Sequence, residues 1–182
     1  MKQSLKKITL IGLFSALVFV GTMIKIDISL TFSNTMVHLG NAVCIICGIF
    51  LGPIYGGIAA GFGSFLFDAF SPIFITSAPF SFVFKFCLAF VSAKIYNLNK
   101  FEFLPRILLS ATLGCLIYIF LHISKVFVYN LCFLKLSLST VFIIVIKNLF
   151  VSLINAFVSV FISFFLVKNL RNVGIFENQT GK

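Results

Sequence analysis

An apolar run from Thr140 to Val167 contains only one charged residue, Lys147, and strongly limits the folds open to this chain. Uncharged runs of similar character cover residues 8–24 and 107–123. A backbone in hydrocarbon must satisfy its own hydrogen bonds, so such segments form helices or closed barrels. Barrel strands alternate between polar and apolar residues, and these runs do not. The chain is therefore predicted to be an all-α membrane protein.

Composition supports this prediction, because 60% hydrophobic residues, 10% charged residues and a mean hydropathy of +1.17 are outside the range of soluble domains. The 182 residues allow six or seven spans of roughly 20 residues each. We predict six transmembrane helices in one compact bundle that forms a single domain over residues 1–182. Residues 8–24 also resemble a signal peptide, but no small-x-small cleavage site follows, so we interpret them as an uncleaved span.

Charges and helix breakers set the predicted boundaries. Proline restricts the residue before it and glycine can end a helix, so Gly52-Pro53 divides the apolar region 28–67 into spans two and three. A polar loop is predicted at 94–106 and a less clearly helical connector at 124–139. The remaining predicted spans cover 8–24, about 79–93, 107–123 and 140–167.

The distribution of basic residues predicts the orientation. With six spans, most lysines and arginines fall on the side of the two termini, whereas Lys25, Lys125 and Lys135 fall on the other side. The positive-inside rule then places both termini in the cytoplasm of a multi-pass cell-membrane protein. The net charge of +10 is explained by this topology, so no nucleic-acid partner is predicted.

Small residues recur at intervals of four in spans two and three. The pairs and triplets are Gly48, Gly52 and Gly56, then Gly57 and Gly61, then Ala59 and Gly63. Such spacing puts small residues on one helix face, where a neighbouring backbone can approach closely. Close packing explains the glycines but not the polar residues His38, Asn41 and Asp68 in the same region. An ionisable group inside a membrane is a functional hypothesis by default.

Several motifs in this part of the chain resemble those of one transporter family. They are "MVHLGNAV" at 36–43, "FLGPIYGGIAAGFGSFLFDAF" at 50–70, "SAPFSFVFKF" at 77–86 and "IKNLFVSLINAF" at 146–157. Together they resemble the substrate-binding S components of energy-coupling-factor (ECF) vitamin transporters, and more narrowly the riboflavin-type group. This chain has Asn41 where the family pattern leads us to expect an acid after Leu39-Gly40.

The resemblance implies a six-helix subunit of a bacterial cytoplasmic membrane that captures a water-soluble vitamin or precursor outside the cell. Riboflavin, a pyridoxine-like vitamin, a thiamine pyrimidine precursor and pantothenate all stay open. It also implies as partners a transmembrane coupling protein and two ATPase subunits, and the chain has no G-x-x-x-x-G-K-[ST] loop of its own. No cofactor and no metal are predicted, because Cys44 and Cys47 have no second Cys or His pair nearby.

A face of small residues in span one is the predicted docking surface for the coupling protein. Gly12 and Ala16 are four residues apart, with Ser15 beside them, in a helix of larger apolar residues. This face resembles the small-residue motif by which S components dock. The alternative is contact with another helix of the same chain.

The predicted ligand site rests on two lysines inside spans. Lys85 and Lys147 are each a few residues from the outer end of their span, so both lie roughly 10 Å below the outer surface. Charged groups at that depth are costly unless paired or hydrated, which suggests a wet cavity between spans four and six with Asp68 as counter-ion. In the alternative, Lys85 simply pairs with Asp68 and Lys147 snorkels to the surface.

Other polar and aromatic residues complete this predicted site. The predicted polar ligand-binding residues are His38, Asn41, Asn130, Asn148 and Asn155. His122 and Tyr129 are expected to close the top of the cavity, and Phe80, Phe82 and Phe84 to form an aromatic wall.

Two other functional classes fit the sequence less well. An intramembrane hydrolase needs a serine beside a base, and Ser64 has neither a G-x-S-x-G motif nor a histidine close to it in sequence. We therefore predict that the chain is not an enzyme. A purely structural or assembly protein is the blander alternative, and it would not need lysines inside two spans.

Overall fold

A computed structural model describes residues 2–30, 33–98 and 102–172. This part of the chain forms six α-helices and a β-hairpin. In chain order the elements are α1 (Lys2–Met23), β1 (Lys25–Leu30), β2 (Ser33–His38), α2 (Gly40–Leu51), α3 (Pro53–Phe70), α4 (Ala78–Tyr96), α5 (Phe103–Val128) and α6 (Leu138–Asn172). A 3-10 turn at Ile75–Ser77 precedes α4, and a π-helical turn at Tyr129–Phe133 follows α5. The predicted all-α class holds apart from the hairpin.

The chain runs back and forth, so the bundle has two distinct ends. The hairpin end, as we call it, carries β1 and β2 together with the connectors at 71–77 and 129–137. The opposite end carries the turn at Gly52, the end of α4 and the start of α5. In the predicted orientation, the hairpin end faces outward.

The predicted turn between spans two and three is confirmed. Helix α2 ends at Leu51, Gly52 adopts φ +80°, and Pro53 begins α3. Glycine tolerates this left-handed value at little cost, and proline is well suited to the first helical position because its missing N–H is not needed there. The Gly52 N–H donates to the carbonyl of Gly48 at 2.9 Å, which completes the helix end.

Helix α2 lies at the centre of the bundle, in contact with α1, α3, α4, α5 and α6. A Cβ at Gly48 would overlap the backbone carbonyl of Ala89 in α4, and one at Gly56 would overlap Gly48 itself. Glycine is therefore what allows three helix backbones to meet here, as predicted from the spacing of small residues. The main apolar core surrounds this contact and includes Ile45, Leu88 and Ile107.

The number of membrane crossings is not the same as the number of helices. Within the described residues, the stretches long and apolar enough to span are Leu5–Met23, Ile75–Tyr96, Phe103–Phe133 and Leu138–Leu170. Helix α2 has 12 residues, which is about 18 Å against a hydrocarbon core of roughly 30 Å. The structure thus shows six helices of which four meet the criteria for a span.

The segment after span five differs from the prediction of a less helical connector beginning at Ser124. Helix α5 continues to Val128, and Lys125 lies in its last turn, where a positive charge interacts favourably with the helix dipole. The Ser124 hydroxyl donates to the Phe120 carbonyl at 2.8 Å. The π-helical turn then adds a bond from the Leu134 N–H to the Tyr129 carbonyl at 3.2 Å. Lys125 is therefore held on the last turn of a helix and not in a loop.

The hairpin was not predicted. Strands β1 and β2 pair antiparallel, with Lys25 opposite His38, and the half-buried Lys25 side chain forms an ion pair with the exposed Asp27 at 2.9 Å. Strand β2 packs against α6, and α2 begins just after it. The hairpin therefore holds His38 beside Asn155 of α6.

Candidate functional site

A cavity of about 220 Å³ opens at the hairpin end of the bundle. It is bordered by side chains from β2, α3, the 71–77 connector, α4, α5, the π-helical turn and α6. The lining residues named from sequence are His38, Asp68, Phe80, Phe84, His122, Tyr129, Asn130, Asn148 and Asn155. Polar groups from several elements thus converge on one partly open cavity, which is the usual form of a small-molecule site.

Three asparagines contribute amides to this cavity. Asn148 and Asn130 each donate from Nδ2 to the carbonyl four residues earlier, at 2.9 and 2.8 Å. Asn148 also shares a side-chain hydrogen bond with His122 across the α5–α6 contact. These bonds fix the orientation of both amides, and an amide offers both donors and an acceptor to a polar ligand.

His38 joins the hairpin to the wall of the cavity. Its Nδ1 accepts a hydrogen bond from the Gly40 N–H at 3.0 Å, and its own backbone N–H donates to Asn155 Oδ1 at 3.4 Å. Burial, with smaller contributions from Lys85 and Lys25, holds the pKa of His38 well below its usual value. The imidazole is therefore neutral, as an acceptor at Nδ1 requires.

Lys85 is buried beneath the cavity and does not line it. Its ammonium donates to Asn41 Oδ1 and lies 4.1 Å from the ring centroid of Tyr118, whose side chain borders the cavity. The direct ion pair with Asp68, considered from sequence, is not formed. Asp68 instead accepts a hydrogen bond from the Ser81 hydroxyl.

Lys125 is the lysine that borders the cavity, where Lys85 and Lys147 were predicted from the sequence. It lines the cavity, and its Nζ donates to the Ser77 Oγ at 2.8 Å. The same Nζ lies 5.5 Å from the ring centroid of Phe80 and 5.8 Å from that of Tyr129. Lys125 thus ties the connector before α4 to the end of α5.

Besides Lys85 and its partner Asn41, which do not line the cavity, two more predicted side chains lie away from it. Lys147 is exposed on α6 and does not line the cavity, because consecutive residues of a helix point about 100° apart and Asn148 is the one that faces inward. Phe82 packs against Gly61 and Phe86, away from the cavity. Depth alone therefore did not decide which lysine reaches the site.

Several lining residues were not predicted from the sequence, namely Thr35, Met36, Phe74, Ser77, Ser81, Tyr118, Lys125, Val126, Leu134 and Ser152. Ser152 is four residues after Asn148 and three before Asn155, so helical spacing alone would have found it. Lys125 was counted among the topological anchors because span five was predicted to end at Ile123. Ser81 and Ser77 carried no signal without the fold.

The predicted docking residues on α1 do not all face the same way. Gly12 and Ala16 are exposed along an open apolar groove that Ile58 and Phe62 of α3 also border. Ser15 is buried, and a Cβ at Gly63 of α3 would overlap its carbonyl. Ser15 therefore belongs to packing within the chain, whereas Gly12 and Ala16 leave an open surface.

A helical membrane bundle with a buried polar cavity at one end defines a membrane-embedded binding protein. The family model described as "ECF-type riboflavin transporter, S component" matches residues 2–172, so the chain belongs to this family. It is a multi-pass membrane protein and a substrate-binding subunit of an ECF vitamin transporter. The family is one of transporter subunits and not of enzymes. No curated protein matches the chain.

Proposed function

We propose that this subunit captures a water-soluble vitamin or vitamin precursor from outside the cell, in the cavity at the hairpin end. The observation that carries the proposal is the convergence of His38, Asp68, Asn130, Asn148 and Asn155 on one cavity inside a membrane bundle. Polar groups within a membrane are costly unless they serve one another or a ligand. The three amides suit a ligand with ring nitrogens or hydroxyls.

The size of the cavity favours the smaller ligands. Its volume of about 220 Å³ is below the range of about 300–1,000 Å³ typical of sites for drug-sized molecules. On this ground we propose a pyridoxine-like vitamin, a thiamine pyrimidine precursor or pantothenate ahead of riboflavin, which is the largest of the four candidates.

Mass spectrometry of small molecules released from the purified protein tests the proposal. We expect one of these four classes to be released and to rebind the emptied protein. A matched preparation of the Asn148→Ala variant should release less. The absence of any released compound, together with no binding of the four candidates, would contradict the proposed function.

The proposed orientation has six crossings, both termini in the cytoplasm and the hairpin end outside. It is tested by single cysteines in a variant that lacks the five native ones. Asp27 and Asn97 are both exposed and lie at opposite ends of the bundle. We expect Asp27→Cys to react with an impermeant maleimide in intact cells and Asn97→Cys to react only after lysis. Equal reaction of the two would contradict the orientation.

For transport we propose that α1 docks on a transmembrane coupling protein that works with two ATPases. The exposed Gly12 and Ala16 support this proposal, because they leave space for another helix to approach. Replacing both with leucine should preserve ligand binding by the isolated subunit and abolish uptake by the assembled transporter. Leu13→Phe, which adds bulk at an exposed position about 100° around the helix, is the matched control and should retain uptake.

A further inference from the structure

The cavity at the hairpin end has more positive than negative charge around it. The whole chain contains four acidic residues, Asp27, Asp68, Glu102 and Glu177. Asp27 is paired with Lys25 on the exposed hairpin, and Glu177 lies outside the described residues. Glu102 precedes the start of α5, 23 residues before Lys125, which is roughly 35 Å along the helix. Asp68 is therefore the acid that serves the cavity.

Three ammonium groups interact electrostatically with that single carboxylate, those of Lys85, Lys125 and Lys25, and Lys25 is already paired with Asp27. Of the other two, Lys125 borders the cavity and Lys85 lies directly beneath it. The hydrogen-bond partner of Lys85 is the neutral amide of Asn41, and that of Lys125 is the neutral hydroxyl of Ser77. One positive charge thus remains without a counter-ion from the described residues.

An uncompensated charge at such a place is expensive unless something neutralises it, because the low dielectric of the bundle strengthens electrostatic interactions. Lys125 is the better placed of the two lysines to meet a ligand. It faces the cavity, and an ammonium has three N–H donors, of which Ser77 takes one in the described structure. The rings of Phe80 and Tyr129 flank it and add no negative charge.

Resting on the proposed function, we propose that the natural ligand carries one carboxylate group and that the Lys125 ammonium binds it. The charge excess is one. A carboxylate supplies one negative charge at neutral pH, whereas a phosphate monoester supplies about 1.5 to 2. A carboxylate therefore balances the site, and a phosphate overcompensates it. Asn130, Asn148 and Asn155 then contact the uncharged remainder of the ligand.

Matched pairs of an acid and its uncharged analogue test this inference. The probes are pantothenate against pantothenol and nicotinate against nicotinamide, titrated into the purified subunit in lipid nanodiscs. We expect at least one acid to bind tenfold more tightly than its neutral partner. Lys125→Met should weaken binding of that acid at least tenfold and change binding of the neutral analogue less than threefold. Lys94→Met, which removes an exposed lysine at the opposite end, is the matched control.

Several results would overturn the inference. One is a released natural ligand without a carboxylate. Another is equal binding of both members of each pair, or an acid preference that survives in Lys125→Met. Comparing the affinities of pyridoxal and pyridoxal phosphate tests whether a phosphate can replace the carboxylate. Tighter binding of the phosphate ester would refute the proposal that the site is matched to the single negative charge of a carboxylate.

A second variant protects the test against a folding defect. Lys125→Arg keeps the charge, so it should keep the acid preference where Lys125→Gln loses it. Failure of the proposed function has a different signature. In that case no compound is released, and neither these probes nor riboflavin or a thiamine pyrimidine binds the wild-type protein, which overturns this inference as well.

Discussion

The two ends of the bundle are built from the same helices but contain different kinds of contact. At the opposite end, Gly48 and Ala89 bring the backbones of α2 and α4 together, and apolar side chains fill the surroundings. At the hairpin end, polar side chains such as His122 and Asn148 meet across α5 and α6 and border a cavity. The same helices thus pack closely at the opposite end and border an open polar site at the hairpin end.

The difference follows from what a membrane bundle can gain at each level. Between helices in lipid, close packing of small residues is a main source of association, so glycine is retained where backbones must touch. Polar residues are costly in contact with lipid. They occur together at the hairpin end, where they bind one another and face the cavity. Substitutions at the two levels should consequently damage different properties of the protein.

The largest effect is expected at the level of close packing. In Gly48→Leu, the new side chain would overlap the backbone of Ala89, which cannot yield as a flexible side chain can. We expect no folded protein, measured as the monodisperse fraction in size-exclusion chromatography after detergent extraction. Gly12→Leu is the matched control, because nothing lies within 4 Å of a Cβ at Gly12, and it should fold at wild-type yield. Normal folding of both Gly48→Leu and Gly12→Leu would show that folding does not depend on close packing at Gly48.

A smaller and more specific effect is expected at the polar level. Asn148→Ala should weaken binding of the released ligand at least tenfold, about 1.4 kcal/mol, without lowering folded yield. The reason is the loss of an amide that borders the cavity and is oriented by Ile144 and His122. Asn169→Ala is the matched control on the same helix, since Asn169 is exposed, and titration calorimetry compares the two. Wild-type affinity in Asn148→Ala would exclude this wall from the site.

Lys85→Met should also weaken ligand binding at least tenfold, although Lys85 does not line the cavity. The expected mechanism is indirect: Lys85 contacts the ring of Tyr118 and the amide of Asn41, so its removal loosens the floor of the cavity. Folded yield should be unchanged. Affinity equal to that of the wild type would mean that Lys85 serves only the internal packing of α2, α4 and α5.

The sequence was sufficient for the class, the helix order and the Gly52-Pro53 turn, because these depend on local properties such as apolar length and helix breakers. It was also sufficient to bring most of the polar lining residues together in one hypothesis. The hairpin was missed because the alternating segment 25–38 is short and lies between long apolar runs. Lys125 was missed because its contact with Ser77 joins residues distant in sequence, and only the fold brings them together.

The pH dependence of stability tests the buried state of His38 at the hairpin end. Burial lowers the pKa of His38 in the folded protein, while the unfolded chain has a value near 6.5. The unfolded state therefore binds more protons below about pH 6.5, so stability is full above that pH and decreases as the pH falls. At one unit below, the expected loss approaches about 1.4 kcal/mol. His38→Asn, which keeps an acceptor for the Gly40 N–H, should show a smaller decrease in unfolding temperature between pH 7.5 and 5.5.

The smallest effect is expected for Lys147, which was placed in the site only because of its predicted depth in the membrane. Lys147→Met should change ligand affinity less than twofold, because the Lys147 side chain is exposed on α6 and points away from the cavity that its neighbour Asn148 borders. Long lysine side chains on a lipid-facing surface extend their ammonium toward the headgroups, so a methionine there is readily accommodated. Titration of the same ligand against Lys147→Met, Lys85→Met and wild type compares the two lysines directly. A tenfold loss in Lys147→Met would show that α6 is rotated in the ligand-bound state, so that Lys147 and not Asn148 faces the site.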